Sequence, residues 1–350
     1  MLDGLRLCAA LMVLAFHYLG DDGRQLWKQS TDRLHPLHRV AEYGHLGVLL
    51  FYMISGFVIS MSAWGSSLGK FWRGRIIRLF PAYWFAVFLT SAYLHFSPHY
   101  PDTQHVTATQ ALTNLSMLQM PLGVENVDTV YWTLWVELRF YILFSVVMWM
   151  GTNDRRVATF CWIWALAAVL APQSGVPLIV TLAIASYAPF FIAGVAFYLV
   201  RRRGGVDGEL LSLLALTWLL AQARMSAICG THGRASLATV AVSAMYGVMY
   251  LVASGRTDRI TWAWLPVAGA ISYPLYLLHQ AIGINLIHVF QPTLGGWPLL
   301  ALLTVGMLAA AWLTHRLVER PGTRLLRNLT KKRVATEHAW VDRPGGAATG

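Results

Sequence analysis

The sequence contains little charge, and negative charge is the scarcer of the two signs. Only 12% of the 350 residues are charged, about half of the roughly 25% that is usual in soluble domains. The 16 acidic residues are outnumbered by 27 lysines and arginines, while 56% of the chain is hydrophobic. This composition excludes an ordinary soluble domain and indicates a membrane protein.

Cysteine is also scarce. The chain has three, Cys8, Cys161 and Cys229, of which the first two lie inside apolar runs. Their spacing fits neither a disulfide framework nor a set of metal ligands. We therefore predict no metal site.

Long apolar runs account for most of the sequence, and runs of this length are typical of membrane-spanning helices. We predict an all-α, polytopic membrane bundle of about ten transmembrane helices, forming one domain over residues 1–318. The tail, 319–350, is basic and then rich in Gly and Ala, so we expect a cytoplasmic helix end followed by disorder. The predicted spans are 5–19, 45–64, 77–96, 132–150, 157–171, 178–200, 209–223, 237–254, 262–290 and 297–317.

The positive charge is distributed unevenly between alternate loops. Loop 65–78 holds four Lys/Arg and no acid, and eight more lie from Arg316 onward, whereas loop 97–131 holds none. Basic loops remain in the cytoplasm, so both termini are predicted to be cytoplasmic. The net charge of +11 then reflects topology, and no nucleic-acid partner is expected.

Ionisable side chains occur within or at the ends of the predicted spans, where they are costly and are candidates for function by default. In the predicted topology one set lies near the cytoplasmic side: Arg6, Arg75 and Arg78. A second set lies toward the outer side: His17, Glu137 and His279. Acid–base groups outside and anion-binding groups inside indicate a catalytic centre reached from two aqueous phases.

Each of these residues also has a simpler interpretation. The arginines can anchor a helix to lipid headgroups, Glu137 can pair with Arg139, and a histidine near a helix end can be a structural hydrogen bonder. A bundle with buried charges also fits a secondary transporter, although related halves and matching broken helices are not evident. A non-catalytic scaffold is a further alternative, with little reason to bury such charges.

Five stretches in chain order carry a resemblance to a known family. They are Arg6 and His17 in "LDGLRLCAALMVLAFH", "GHLGVLLFYMISGFVIS", the pair Arg75 and Arg78, "WTLWVELRFY" around Glu137, and "ISYPLYLLH" ending at His279. Together with "VERP" at Glu319, they resemble the acyltransferase-3 family of integral membrane acyltransferases, which modify carbohydrates and related acceptors at the cell surface. The resemblance covers all ten spans.

The resemblance implies a multi-pass protein of the bacterial cytoplasmic membrane that uses acyl-CoA, commonly acetyl-CoA, reached from the cytoplasm. The acceptor would be a hydroxyl of an extracytoplasmic carbohydrate, glycolipid or small metabolite. His17 would be the catalytic histidine, and Glu137 a polar partner in the core. The donor-binding residues would be Arg6, Arg75 and Arg78.

A histidine suits the task of deprotonating a hydroxyl for attack on a thioester. We therefore expect His17 to act as general base, Glu137 to orient it, and His279 or Tyr276 to polarise the carbonyl. Arg6 and His17 are eleven residues apart, so a helix places them on one face about 16 Å apart along its axis. That separation suits an extended phosphopantetheine arm. A covalent acyl-histidine remains an alternative to direct transfer.

Overall fold

The computed structural model describes residues 1–20, 27, 31–97, 106–225 and 235–341, and within these ranges it contains helices and turns but no strand. The α-helices of these ranges are α1 (Leu2–Leu19), α2 (Thr31–Ala41), α3 (Gly47–Ala63), α4 (Leu68–Phe96), α5 (Ala108–Asn114), α6 (Trp132–Trp149), α7 (Asp154–Leu170), α8 (Pro177–Ala183), α9 (Ala188–Arg203), α10 (Gly208–Gln222), α11 (Ala235–Ala253), α12 (Leu265–Phe290), α13 (Gly296–Thr314) and α14 (Arg320–Val341).

The apolar helices confirm the predicted membrane bundle. Over the described ranges, nine helical segments are long and apolar enough to cross a membrane, with α8 and α9 together forming one of them. The shorter apolar helix α10, Gly208–Gln222, lies where the seventh span was predicted. Each of the ten predicted spans therefore has a helical counterpart.

One end of the bundle collects the ion pairs, and we call it the inner face. Arg201 at the end of α9 pairs with Asp258 at 2.8 Å, and the neighbouring Arg202 pairs with Asp154 at 3.1 Å. Ser67, the residue before α4, accepts a hydrogen bond from a first-turn backbone N–H at this same end. The basic loops used to predict the cytoplasmic side thus meet at one face, and the opposite end is called the outer face.

Helices α3 and α9 pack closely because each presents a glycine to the backbone of the other. A Cβ on Gly56 would meet the carbonyl oxygen of Phe191, and one on Gly194 would meet that of Met53. Small residues permit this approach of helix backbones in membranes. This contact lies in the largest apolar core and fixes the position of α3 against α9.

Helix α1 lies between α3 and α12. A Cβ on Gly47 would meet the carbonyl oxygen of Ala9, and one on Gly283 would meet the Tyr18 ring. The Tyr18 hydroxyl donates to the carbonyl oxygen of His279 at 2.9 Å. These contacts set the register in which α1 presents His17 to α12.

The segment before α6 folds over the outer face as turns and the short helix α5, Ala108–Asn114. Asn114 is fully buried, and its amide oxygen accepts from the Val127 N–H at 3.0 Å. The carbonyl of Asn114 in turn accepts from the Tyr83 hydroxyl at 2.7 Å. Residues 106–131 are thereby attached to α4.

Helix α14 extends the chain beyond the predicted membrane domain. It runs over Arg320–Val341, longer than the helix end expected from the sequence. Its first turns pack on α4, where a Cβ on Gly322 would meet Pro81 and the Thr323 hydroxyl donates to the Ile77 carbonyl at 3.4 Å. The last part of the predicted tail 319–350, residues 342–350, lies outside the described residues.

Candidate active site

A cavity of about 100 Å³ opens among α1, α3, α4, α6 and α12. Three arginines line it, Arg6 from α1 and Arg75 and Arg78 from α4. The three donor-binding residues predicted from the sequence therefore lie around one space, which we call the inner cavity. Arg73, from the same basic loop, is exposed and does not line it.

The positive charge of the inner cavity is only partly compensated. Arg6 pairs with Asp3 at 3.5 Å, and Arg75 donates from Nη2 to the Ser62 hydroxyl at 3.1 Å. The Nε of Arg75 is buried without a hydrogen-bond partner. Of the charged groups that line the cavity among the described residues, Glu137 is the one carboxylate. Guanidinium groups suit phosphates, so the charge of this cavity is chemically compatible with an anionic ligand.

Glu137 lies in the inner cavity, where its Oε1 accepts from the Ser55 hydroxyl at 2.5 Å. The expectation that it converges with His17 and orients it is wrong, because the sixth residue of α6 faces the arginines. The pairing with Arg139 does not form either. Arg139 donates to the Thr181 carbonyl at 2.6 Å, and its guanidinium lies 5.6 Å from the Trp135 ring centre.

A second cavity, of about 550 Å³, lies toward the outer face, and we call it the outer cavity. His17, which the sequence analysis predicts to be the catalytic histidine, lines this cavity. The other chemically distinctive side chains on its wall are His45, Trp132, Tyr187, Arg224 and Gln280. The wall thus combines aromatic rings with hydroxyl groups and a guanidinium. Such a surface suits a polar, ring-containing molecule better than a purely apolar one.

His17 and His279 are hydrogen-bonded, with 2.9 Å between His17 Nδ1 and His279 Nε2. The other nitrogen of His279, Nδ1, lies 2.9 Å from the carbonyl oxygen of Tyr276 and 3.2 Å from that of Leu275. A carbonyl oxygen only accepts, so His279 Nδ1 carries the proton and donates. In the neutral pair, His279 Nε2 is then the acceptor and His17 Nδ1 the donor.

This tautomer assignment has a direct chemical consequence. With its proton on Nδ1, neutral His17 keeps a lone pair on Nε2, the nitrogen a general base uses. The carboxylate expected at this position is replaced by a second imidazole, His279, which is fully buried. Both nitrogens of His279 are occupied, so His279 is unsuited to polarising a substrate carbonyl.

Tyr276 is also unsuited to polarising a substrate carbonyl, because its hydroxyl already has hydrogen-bond partners. Its hydroxyl lies 2.9 Å from the Thr133 hydroxyl and 3.4 Å from the Val130 carbonyl. Its side chain, together with that of Val48, lines both cavities. The inner and outer cavities are therefore adjacent, with these two side chains between them.

Asp128 supports this region, and sequence reasoning missed it. Its two carboxyl oxygens accept from the backbone N–H groups of Val130 at 3.2 Å and Ala281 at 3.0 Å, two residues after His279. Burial raises the pKa of Asp128 from 3.8 to about 7, although these two hydrogen bonds oppose the shift. The available signal was an Asp just before a helix start, a usual capping position.

His45 is the other residue that the sequence analysis did not select. It lies half-buried in the 3₁₀ turn before α3, and its Nδ1 donates to the Glu42 carbonyl at 2.6 Å. The Nε2 of His45 is buried without a partner. Its signal in the sequence was its place in the stretch "GHLGV", as the first residue of the predicted span 45–64.

An arginine-lined cavity therefore adjoins a histidine-lined one inside a bundle of apolar helices. The chain belongs to the acyltransferase-3 family, since the family profile described as an acyltransferase domain matches residues 1–316. The match covers every predicted span except the last residue of the tenth.

Two curated relatives are similar along nearly their whole length. Acyltransferase MdmB of Streptomyces mycarofaciens is 26% identical over 370 residues, which cover 93% of this chain and 92% of the relative. Nodulation protein 10 of Rhizobium leguminosarum bv. viciae is 26% identical over 369 residues, covering 95% of each. No solved structure matches the chain significantly.

Proposed function

We propose that this acyltransferase moves an acyl group, acetyl in the first instance, from cytoplasmic acyl-CoA to a hydroxyl on the outer side of the membrane. The acceptor class is a carbohydrate, a glycolipid or a small secreted metabolite. Both relatives come from bacteria, which supports placement in a bacterial cytoplasmic membrane.

The inner cavity is the proposed donor site. The phosphates of acyl-CoA carry several negative charges, and Arg6, Arg75 and Arg78 offer positive charge that is only partly compensated, at the face with the basic loops. Arg6 and His17 lie on the same continuous helix, α1, about 16 Å apart along its axis. An extended phosphopantetheine arm spans such a distance, so phosphates at Arg6 are compatible with a thioester beside His17.

The outer cavity is the proposed acceptor site. The rings of Trp132 and Tyr187 lie on its wall with centroids 5.4 Å apart, and such faces accommodate the C–H face of a sugar. Arg224 lies on the same wall. These features support a ring-bearing, hydroxylated acceptor.

In the proposed reaction His17 Nε2 takes the proton of the acceptor hydroxyl as its oxygen attacks the thioester carbon. The C–S bond breaks, an O–acyl bond forms, and the proton on His17 passes to the departing CoA thiolate. His279 accepts the hydrogen bond from His17 Nδ1–H throughout, and this bond strengthens as His17 becomes an imidazolium. The products are an ester and free CoA.

The observation that carries this proposal is the hydrogen bond between His279 and His17, because His17 lines a cavity that shares two side chains with the arginine-lined one. It is tested with purified protein in nanodiscs, acetyl-CoA and a panel of glycosides, by following free CoA thiol and acetyl ester. His17→Ala is expected to lose about 100- to 10,000-fold in rate, the usual contribution of a general base. An unchanged rate would exclude His17 as the base.

The same protein separates direct transfer from a covalent acyl-histidine. Labelled acetyl-CoA without acceptor is expected to leave the protein unlabelled if transfer is direct. Label bound to wild type and absent from His17→Ala would instead establish attack by His17 Nε2 on the thioester.

A further inference from the structure

The two cavities are separated by a narrow partition. Among the described residues that line the two cavities, only Val48 and Tyr276 line both. An acyl group carried from the arginines to His17 must therefore pass between a side chain of α3 and a side chain of α12. Whatever limits the gap between these two groups limits the acyl chain.

Tyr276 is a rigid side of this partition. It is 7% exposed, its hydroxyl is bonded to Thr133 at 2.9 Å, and its ring meets the Phe51 ring edge-on with centroids 5.6 Å apart. Rotating this ring away would break the hydrogen bond and the ring contact together.

Val48 is the opposite side. It lies in the first turn of α3, and a β-branched side chain in a helix has essentially one rotamer. The helix cannot retreat easily, because the preceding Gly47 is in close contact with the Ala9 backbone and α3 is packed tightly on α9 at Gly56. The side chains of Val48 and Tyr276 therefore both have little freedom to move apart.

We propose that Val48 and Tyr276 form the constriction that selects acyl chain length, and that it restricts the donor to short acyl groups such as acetyl. This inference rests on the proposed function and extends it to the donor. Acetyl brings a single methyl through the gap ahead of its carbonyl, whereas longer acyl groups must bring several methylenes between the valine and the tyrosine ring before the thioester reaches His17.

The test uses the full chain in nanodiscs with acetyl-CoA, butyryl-CoA and hexanoyl-CoA, and it measures His17-dependent release of CoA thiol. Wild type is expected to favour acetyl-CoA over hexanoyl-CoA by at least about tenfold in kcat/KM, the lower end for rejection of a methylene by a fitted pocket. Val48→Ala is expected to raise the hexanoyl-to-acetyl ratio by about tenfold.

Val58→Ala is the matched control. Val58 is half-buried in the same helix and lines the inner cavity but not the outer one, so the identical truncation leaves the partition intact. Its hexanoyl-to-acetyl ratio is expected to equal that of wild type. Val48→Ile, which adds a methyl group, is expected to act in the opposite direction and lower the butyryl-to-acetyl ratio.

Size-exclusion profiles establish which variants are folded, and Val48→Ile provides the test if Val48→Ala is not. Equal use of the three donors by wild type, or equal ratios in all folded variants, would overturn the constriction while leaving acyl transfer intact. If no acyl-CoA gives His17-dependent thiol release with wild type, the proposed function itself fails.

Discussion

The His17–His279 pair leads to a quantitative prediction about catalysis. His279→Ala removes the acceptor 2.9 Å from His17 Nδ1, leaving the imidazole free to rotate or change tautomer. A hydrogen bond to a group that becomes charged contributes roughly 1.5–3 kcal/mol. At 1.36 kcal/mol per factor of ten, kcat is expected to fall about 10- to 100-fold.

The KM for acetyl-CoA is expected to stay near its wild-type value, because His279 lines neither cavity and the arginines are untouched. His279→Gln is the matched variant, since its amide oxygen can accept from His17 Nδ1–H. It is expected to recover most of the lost kcat. The assay is CoA thiol release under saturating acetyl-CoA, with folding checked by thermal unfolding.

A double variant tests whether the two histidines act as one unit. If His279 acts only through His17, adding His279→Ala to His17→Ala is expected to cause no further loss. The reasoning is refuted if His279→Ala retains the wild-type kcat, or if His279→Gln is folded and as slow as His279→Ala.

Three further predictions concern the donor site, the outer segment and the helix packing. Arg75→Gln or Arg78→Gln is expected to raise the KM for acetyl-CoA about 10- to 100-fold, since each removes a charge-assisted bond to phosphate, measured by initial rates. The pKa of the Asp128 carboxyl in the native state is about 7, against an ordinary value of 3.8. The native state therefore binds more protons between these values, and the free energy of unfolding is expected to fall as pH rises from about 4 to 7, by about 4 kcal/mol in thermal unfolding scans. Gly194→Val is expected to destabilise the protein by about 3 kcal/mol or more, because its side chain would meet the Met53 carbonyl.

Each of these has a control within the chain. Arg73→Gln, at an exposed position of the same loop, is expected to leave the KM near wild type. Asp128→Asn cannot ionise, so a pH dependence that persists in it contradicts the assignment. Gly247→Val is in a helix with open space around the glycine, and equal destabilisation by it would remove the packing explanation.

The spans and the identity of most site residues could be predicted from the sequence. Hydrophobic runs of the right length form helices in a membrane because every backbone polar group must be satisfied within the segment. Ionisable residues are costly in such apolar runs. Arg6 and His17 could therefore be recognised as candidates from the sequence. The eleven-residue spacing between them followed from helix geometry alone.

The direction in which Glu137 faces could not be predicted from the sequence. Its depth along α6 was predictable, but depth does not determine which way a side chain faces in a bundle, and rotation about the helix axis is decided by packing against neighbours. The structure turns Glu137 toward Ser55 and the arginines. The partner of His17 is 262 residues away, on α12.

The sequence by itself determined the class of the protein, the positions of its apolar helices and the separation of Arg6 from His17, because these depend on local composition and on the regular rise of a helix. Only the tertiary structure decided that His279 is hydrogen-bonded to His17, that Asp128 is hydrogen-bonded to the backbone of α12, and that Val48 and Tyr276 lie between the cavities. Those contacts join distant helices at particular rotations, which arise from close packing such as that of Gly56 and Gly194. No local pattern encodes such rotations.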